Sequence, residues 1–434
     1  MKVLKNLIIL LMSIMLAVML VGCSDDEDED EDDNIEGDVV VLTGVIEEDM
    51  TLTSDKNYLL RGGVFIGTGE GENVTLTIEA GTTIYGESAT KGMLVISRGS
   101  KIIAEGTASA PIILTSDKAV GQRNRGDWGG LIINGNAPLN TGDEAYGEGG
   151  TGYYGGNNPN DNSGILKYVR VEFAGREISP DNELNGIAFQ AVGSGTVVEY
   201  VQVHMNKDDG IEMFGGNVNI KYALVTGAAD DSFDWTDGWQ GKAQFVVAQQ
   251  YADDSDNGIE ADNNGEDNIA TPISNPTIYN LTLIGAPGSE HSDIGMLLRE
   301  GTKAKIYNGL IVGFQDSGLD VDHAATFDNA DAGELVVDNC VFYDNVENFK
   351  DDDDGDDTFD EGAFGNKGNN LEASQAPVAD PYNQTAPDFS SQGPATSHAV
   401  KSPPSDGFFE SVNFIGGVDP NNDWTVGWTT SDPN

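Results

Sequence analysis

The chain is poor in cysteine, in basic residues and in histidine. Two cysteines in 434 residues leave little scope for disulfide bonds, so packing must supply the stability. Lys and Arg number 22 against 73 Asp and Glu, a formal net charge of −51, which argues against binding to nucleic-acid phosphates. The four histidines show no ligand spacing, which argues against zinc.

Long hydrophobic runs are absent after the start of the chain. The one such run spans residues 7–21, follows two lysines and predicts a secretory signal peptide over residues 1–22. Its end, Leu20-Val21-Gly22-Cys23, resembles the lipobox of bacterial lipoproteins, which implies cleavage before Cys23 and lipidation of that cysteine. We therefore expect a lipid anchor in the outer membrane, with a plain secreted protein or an uncleaved anchor helix as alternatives.

An acidic tract follows Cys23. Residues 24–33 hold nine acids in ten positions, a density that cannot be buried. The tract predicts an extended tether over residues 23–39. Its place directly after the cysteine resembles the surface-export signal of Bacteroidota lipoproteins, which implies display on the cell exterior; a spacer facing the periplasm is the alternative.

Two strand types alternate along the middle of the chain. The first type is a longer apolar-alternating strand, as in residues 166–171 (LKYVRV) and 198–203 (VEYVQV). The second type opens on Gly or Ser at positions 186, 210, 232, 258, 295 and 318, in steps of 24, 22, 26, 37 and 23 residues. No stretch keeps a 3.6-residue apolar period, so helices should be scarce. Strands and turns repeating in this way predict an all-β parallel β-helix with coils of about 22–26 residues and protruding loops.

The repeat also assigns strand positions to faces, because side chains alternate along a strand. Six apolar residues are predicted to stack inward: Ile187, Ile211, Phe233, Ile259, Met296 and Leu319. A column of the first strand type holds three tyrosines and then three asparagines, whose amides we expect to bond along the coil axis: Tyr168, Tyr200, Tyr222, Asn280, Asn308 and Asn339. Gln202 is predicted to face outward and to tolerate Asp.

Several segments resemble a known family, in residues 76–85 (LTIEAGTTIY), 99–108 (GSKIIAEGTA), 126–135 (GDWGGLIING), 414–420 (FIGGVDP) and 424–428 (WTVGW). They are similar to right-handed parallel β-helix surface lipoproteins of Bacteroidota, which share the architecture of pectate lyases. The resemblance covers most of residues 40–434 and implies a right-handed coil. It implies no activity, because that family has no settled one.

Composition divides the rest of the chain. Residues 40–349 form the predicted β-helix, interrupted by a Gly- and Asn-rich protruding loop over residues 141–164. Residues 350–406 contain an acidic cluster and six prolines and predict a loop or linker. Residues 407–434 return to aromatic content and are expected to pack on the last coils.

Carboxylates gather around the second strand type. Glu212, Asp234 and Glu260 occupy the same outward position in consecutive coils, so they should form a ladder with a spacing of about 4.8 Å. Acids in the preceding turns complete the candidate metal ligands: Asp208, Asp209, Asp230, Asp231 and Asp256. Hard oxygens in an irregular arrangement suit calcium. Ordinary Asp-Gly turn chemistry is the competing interpretation, although it leaves the ladder unexplained.

A catalytic role would use the same face. Lys207 or Arg299 could serve as the base of a polysaccharide lyase, and Asp209 with Asp231 as the carboxyl pair of a glycoside hydrolase. Pectate-lyase-like and polygalacturonase-like β-helices also carry acids on one sheet. The Gly-His-Gly and Arg-Ile-Lys elements of polygalacturonases are absent here.

Three aromatic residues are candidates for contact with an extracellular ligand: Trp239, Tyr153 and Tyr154. For Trp239, packing of a loop is the alternative. The leading hypothesis is a cell-surface lipoprotein that binds calcium and an extracellular glycan or a surface receptor protein without catalysis. A polysaccharide lyase or hydrolase, and a structural or adhesive surface protein, are the alternatives.

Overall fold

The computed structural model describes residues 35–71, 73–180, 182–350 and 359–434. The predicted signal peptide, Cys23 and most of the acidic tether lie outside these residues. The described chain forms a parallel β-helix in which 24 strands join one continuous, wound sheet. This confirms the predicted fold class. No helix in the described ranges is both long and apolar enough to cross a membrane.

The first coils are built from short strands with Gly-rich turns between them. These strands are β1 (Val39–Ile46), β2 (Met50–Leu52), β3 (Asn57–Ile66), β4 (Thr75–Ile78), β5 (Thr83–Gly86), β6 (Met93–Ile96), β7 (Lys101–Glu105), β8 (Ile112–Ser116) and β9 (Gly130–Asn134). The predicted protruding loop contains an antiparallel hairpin. It consists of β10 (Ala145–Gly147), a 3-10 turn at Glu148–Gly150 and β11 (Gly152–Tyr154).

The middle coils alternate a long strand with a short one. They are β12 (Gly164–Glu172), β13 (Ile187–Gln190), β14 (Val197–His204), β15 (Ile211–Phe214), β16 (Asn219–Thr226), β17 (Phe233–Thr236), β18 (Lys242–Gln249), β19 (Ile259–Ala261), β20 (Thr277–Ile284), β21 (Met296–Leu298), β22 (Lys305–Val312) and β23 (Asp320–Val321). The final elements are α1 (Ala324–Asp331), β24 (Val336–Asp338), β25 (Val341–Tyr343), α2 (Glu361–Lys367), β26 (Leu371–Glu372), β27 (Val378–Asp380), β28 (Asp388–Ser391) and α3 (Pro394–Ser397).

The wound sheet has three faces, called sheets 1, 2 and 3 below, and each coil contributes to these faces with strands that pair in parallel with those of the next coil. Sheet 1 contains the short strands β6, β9, β13, β15, β17, β19, β21 and β23, with the second halves of β1 and β3. Sheets 2 and 3 contain the first and second halves of the long strands, joined at a corner. The predicted strand types are therefore real, and the first type spans two sheets.

The corner explains the Tyr and Asn column. Its residues adopt the left-handed conformation, with φ of 56° at Tyr200 and 58° at Asn308, a conformation that Asn tolerates well. The tyrosine rings stack as expected, with centroids 4.4 Å apart for Tyr168–Tyr200 and 4.3 Å for Tyr200–Tyr222. The asparagines differ from expectation: Asn308 Nδ2 donates to the Lys401 carbonyl (2.9 Å), and Asn280 and Asn339 likewise bond carbonyls of the C-terminal region.

The interior is filled by the predicted inward columns. Ile211 lies in register between Ile187 and Phe233, and all three side chains are fully buried. A glycine precedes all but one of these strands, the exception being Ser232 before Phe233, and it allows the coils to approach closely. A Cβ on Gly210 would lie 2.4 Å from Val225 Cγ1 and 2.6 Å from the Ser232 carbonyl oxygen. The coil register inferred from the repeat is therefore correct.

The C-terminal fifth of the chain differs from the predicted linker and end cap. Residues 371–397 contain strands and a helix, and Val378 and Phe389 are buried against the outer side of sheet 3. The final segment, residues 399–432, runs back along the flank of the helix. Its contacts pass from Asn339 near the last coils to Tyr168 in β12, the first of the middle coils, so it does not stay on the last coils. In the later coils, outward apolar residues of sheet 3 such as Leu224, Val247 and Leu310 pack against the C-terminal region, including Val378, Phe389 and Ile415.

The same segment overturns the prediction for Gln202. Its side chain points out of the coil but is fully buried. Gln202 Nε2 donates to the Thr430 carbonyl (2.7 Å) and Gln202 Oε1 accepts from the Thr430 N–H (2.9 Å). An Asp at this position would lose the donated bond, so Gln202 is not a tolerant site.

Candidate functional site

The predicted carboxylate ladder is present on sheet 1. Strand register places Glu212 beside Asp234 and Asp234 beside Glu260 in three consecutive coils. The ladder is less exposed than an outer face would suggest, because Glu212 and Asp234 are each only 7% exposed. Asn185 donates a hydrogen bond to Glu212 Oε2. A ladder expected to face water is therefore largely covered.

The turn acids form a second ladder, which bonds the backbone. Asp209 Oδ1 accepts from the N–H of Asp231 in the next coil (3.0 Å), and Asp231 Oδ1 accepts from the N–H of Asn257 (2.8 Å). These bonds link successive turns along the axis. Turn chemistry thus accounts for one oxygen of Asp209 and one of Asp231, as the competing interpretation requires.

The two ladders converge into three groups whose carboxylate oxygens lie within 4.8 Å of one another. The groups are Asp208/Asp209/Asp230, Asp209/Glu212/Asp234 and Asp230/Asp231/Asp256. Two oxygens on opposite sides of a bound Ca²⁺ are about 4.6–5.2 Å apart, so each group fits one coordination sphere. Seven of the eight predicted ligands are brought together in this way.

Glu260, the eighth candidate, is held by a cation instead. Arg299 Nη2 contacts Glu260 Oε1, and Arg299 Nε donates to Asp262 Oδ1 at 2.9 Å. Asp262 was not identified from the sequence, because its link to Arg299 spans 37 positions. The ladder therefore divides into an end at Glu260 that is paired with a cation and an uncompensated end at Glu212 and Asp234.

Burial and mutual repulsion make these carboxyls hard to ionise. Burial, followed by the neighbouring Asp230, raises the pKa of Asp208 to about 7, and burial raises that of Asp256 to about 6. The pKa values of Glu212 and Asp234 are raised well above the ordinary range, again mainly by burial. Among the described residues, no Lys or Arg forms an ion pair with either, and Asp234 Oδ1 has no hydrogen-bond partner. A divalent cation would supply the missing counter-charge.

The candidate bases are committed to ion pairs. Lys207 Nζ contacts Asp254 Oδ2 at 2.8 Å. Hydrogen bonding and charge from Asp262 outweigh burial and raise the pKa of Arg299 above its ordinary value, so this guanidinium holds its proton firmly. Arg299 is therefore poorly suited to act as a base, and its observed role is to pair with Glu260 and Asp262.

Two of the three aromatic candidates are wrong. Trp239 is fully buried, packs against Phe233 and Trp235, and donates its indole N–H to the Val218 carbonyl (3.1 Å). Tyr154 is buried against Phe214. Neither ring is available to a ligand, because the turn after β17 and the hairpin fold onto the coil.

Tyr153 is exposed, and it has a partner that sequence reasoning missed. Tyr153 pairs with Tyr146 across the β10–β11 hairpin, and the ring centroids lie 4.9 Å apart. Both rings line an open cleft. The turn residues of Glu148–Gly150 between two alternating segments were the available signal for this hairpin.

Comparison with known proteins gives the family and no closer relative. No curated protein and no solved structure matches the chain. One family model, the pectate-lyase-like beta helix domain, matches residues 44–429. The match begins in β1, ends beyond the last strand and includes both ladders and the hairpin. The chain therefore belongs to the family of pectate-lyase-like beta helix domains.

Proposed function

We propose that this protein is a lipid-anchored, cell-surface β-helix whose acidic face binds calcium and which holds an extracellular ligand without catalysis. The observation that carries the calcium part is the group Asp209/Glu212/Asp234, whose oxygens lie within 4.8 Å in a buried setting. The unpartnered Asp234 Oδ1 supports a missing ligand there. Like charges at this spacing either stay protonated or bind a cation.

Calcium should stabilise the fold, and removing the charges should substitute for it. A ligand that binds only the native state adds about 2.7 kcal/mol at one hundred times Kd, so the melting temperature should rise by a few degrees on transfer from EDTA to millimolar calcium. The variant Glu212→Gln/Asp234→Asn relieves the buried repulsion. We expect it to melt above the parent in EDTA and to gain little from calcium.

The control is Glu47→Gln/Glu48→Gln, which makes the same charge change at exposed positions and should respond to calcium like the parent.

The pH dependence of stability gives an independent check on the calcium site. Because folding raises the pKa of Asp208 and Glu260 to about 7, the calcium-free protein should lose stability as pH rises from about 4 to 7. Calcium affinity should increase over the same interval. Identical midpoints in EDTA and calcium would refute the calcium site.

The anchor is tested separately. Cys23→Ala should release the protein from the membrane fraction, whereas Cys340→Ala should not, because Cys340 is buried in the fold. Protease added to intact cells should remove the domain of the parent protein. Unchanged membrane attachment of Cys23→Ala would contradict lipidation, and full protection from protease would contradict surface display.

Acid–base catalysis on the same face is the second candidate, favoured by the pKa values of Asp208 and Glu260 near 7. A glycoside hydrolase or lyase would release products from an oligosaccharide, with a rate that depends on these carboxyls. A calcium-binding face would instead hold Asp208 ionised by the bound cation at neutral pH, and Glu260 would stay paired with Arg299. Product analysis with and without calcium separates the two.

A further inference from the structure

A second site lies on sheet 1, well away from the acidic groups. It is a cleft of about 490 Å³, within the range of about 300–1,000 Å³ typical of small-molecule sites. The β10–β11 hairpin forms one wall, and the turns after β3 and β6 form the other. Phe65, at its base, is separated from Glu212 by four strand steps, about 19 Å.

The cleft presents aromatic surface to water. Tyr146 is 58% exposed and Tyr153 is 54% exposed, and their rings meet edge to face with an interplanar angle of 74°. Exposed aromatic rings are costly unless a partner covers them, and together with Phe65 and Val45 they give the cleft an apolar lining. A ligand with apolar faces would cover this surface.

Polar groups surround the rings. Arg98 Nη1 pairs with Glu144 Oε2 at 2.9 Å and also donates to the Gly155 carbonyl, so the guanidinium is held at the cleft wall. Glu70 and Ser97 lie on the same lining. The guanidinium of Arg98, the carboxylate of Glu70 and the hydroxyl of Ser97 can each form hydrogen bonds with hydroxyl groups of a ligand.

The base of the cleft holds an unsatisfied amide. Asn134 lines the cleft and is 99% buried; its Nδ2 donates to the Thr151 carbonyl (2.7 Å), while its Oδ1 has no partner among the described residues. A buried acceptor without a partner costs free energy. The oxygen is itself buried, so a small shift of the side chain would let a ligand hydroxyl satisfy it, directly or through an ordered water.

The charges restrict the class of ligand. The chain carries −51 overall, and Glu70 and Glu144 lie in the cleft itself, so an anionic polymer would be repelled. The Arg98–Glu144 ion pair cancels one of these negative charges, so the cleft lining keeps little net charge with which to hold a cationic peptide. A ligand that offers apolar C–H faces to aromatic rings and hydroxyls to carboxylate, guanidinium and amide groups, without net charge, is a sugar chain.

We infer that the cleft between the β10–β11 hairpin and the first coils binds a neutral oligosaccharide, with Tyr146 and Tyr153 as the stacking platform. This inference gives a site and a class to the extracellular ligand of the proposed function and rests on that part of it. It does not depend on calcium, because the cleft and the carboxylate groups share no residue.

The test is calorimetric titration with neutral tetrasaccharides: cellotetraose, maltotetraose, mannotetraose and xylotetraose. The full-length parent should bind at least one of them. Tyr146→Ala and Tyr153→Ala should each weaken that binding about tenfold, by loss of aromatic contact, without lowering the melting temperature. Tyr382→Ala, an exposed tyrosine outside this cleft, should bind like the parent.

The outcomes separate the two sites. Binding that persists in EDTA and in Glu212→Gln/Asp234→Asn supports a cleft independent of calcium. Binding that disappears in EDTA, or that both tyrosine variants retain in full, overturns the cleft as the site. If no tetrasaccharide binds while calcium still raises the melting temperature, the saccharide inference fails and the calcium proposal stands.

Discussion

Replacing Ile211 or Ile259 with Asp should destabilise the protein by several kcal/mol, with loss of soluble expression as the extreme result. Both side chains are fully buried, Ile211 between Ile187 and Phe233 and Ile259 between Phe233 and Met296. A carboxyl group there would have no partner, and an unpaired buried charge costs about 3–5 kcal/mol or protonates at a similar expense. Because each coil is stabilised by its neighbours, the damage should spread along the axis.

Val197→Asp is the matched control for this change. Val197 is a β-branched strand residue in the same coil as Ile211 and is 41% exposed. Urea unfolding of the three variants should show a large loss for Ile211→Asp and Ile259→Asp and a small one for Val197→Asp. If the interior variants unfold at the parent's urea concentration, the stacking of the coils described here is wrong.

Trp428→Ala should cost about 3–5 kcal/mol, the usual range for a large buried aromatic. Trp428 is 1% exposed and meets Tyr168 edge to face at 5.5 Å between centroids. Its indole N–H donates to the Trp424 carbonyl, and its own carbonyl accepts from Arg170 Nη1 (3.1 Å). The substitution would leave a cavity against the tyrosine stack and loosen the returning segment.

Val426→Ala provides the control in the same segment, because Val426 is 72% exposed. Its melting temperature should match that of the parent, whereas Trp428→Ala should melt clearly lower. Limited proteolysis should also cut Trp428→Ala near its C-terminus at protease concentrations that the parent resists. Equal melting and equal resistance would mean that the segment contributes nothing to stability.

The coil architecture could be predicted because it depends on residues that are close together in the sequence. The step between equivalent Gly or Ser positions sets the coil length, and two-residue alternation then places Ile211 and Met213 inward and Glu212 outward. Adjacency of Glu212, Asp234 and Glu260 follows directly from stacking. These predictions needed no knowledge of distant contacts.

The predictions that were wrong concern which outward-facing residues are buried by other segments of the chain. Alternation shows that Gln202 points out of the coil, yet the group that covers it, Thr430, lies 228 positions away. Trp239 was considered a ligand contact because it follows the strand, but the turn folds inward and buries the ring. Burial of this kind depends on which remote segment crosses which sheet, and a one-dimensional repeat carries no such information.

The returning C-terminal segment also has a consequence for the order of events during synthesis. A solenoid can form coil by coil as its N-terminal part emerges first. Here Gln202 and His204 bond Thr430 and Asp432, each across 228 residues, so the flank cannot close until residues 430–432 have been made. Until then the stacked rings of Tyr168, Tyr200 and Tyr222 lack their tryptophan cover. A chain that stops before Trp424 would therefore retain its coils but leave the tyrosine stack uncovered, an exposed aromatic surface that favours aggregation.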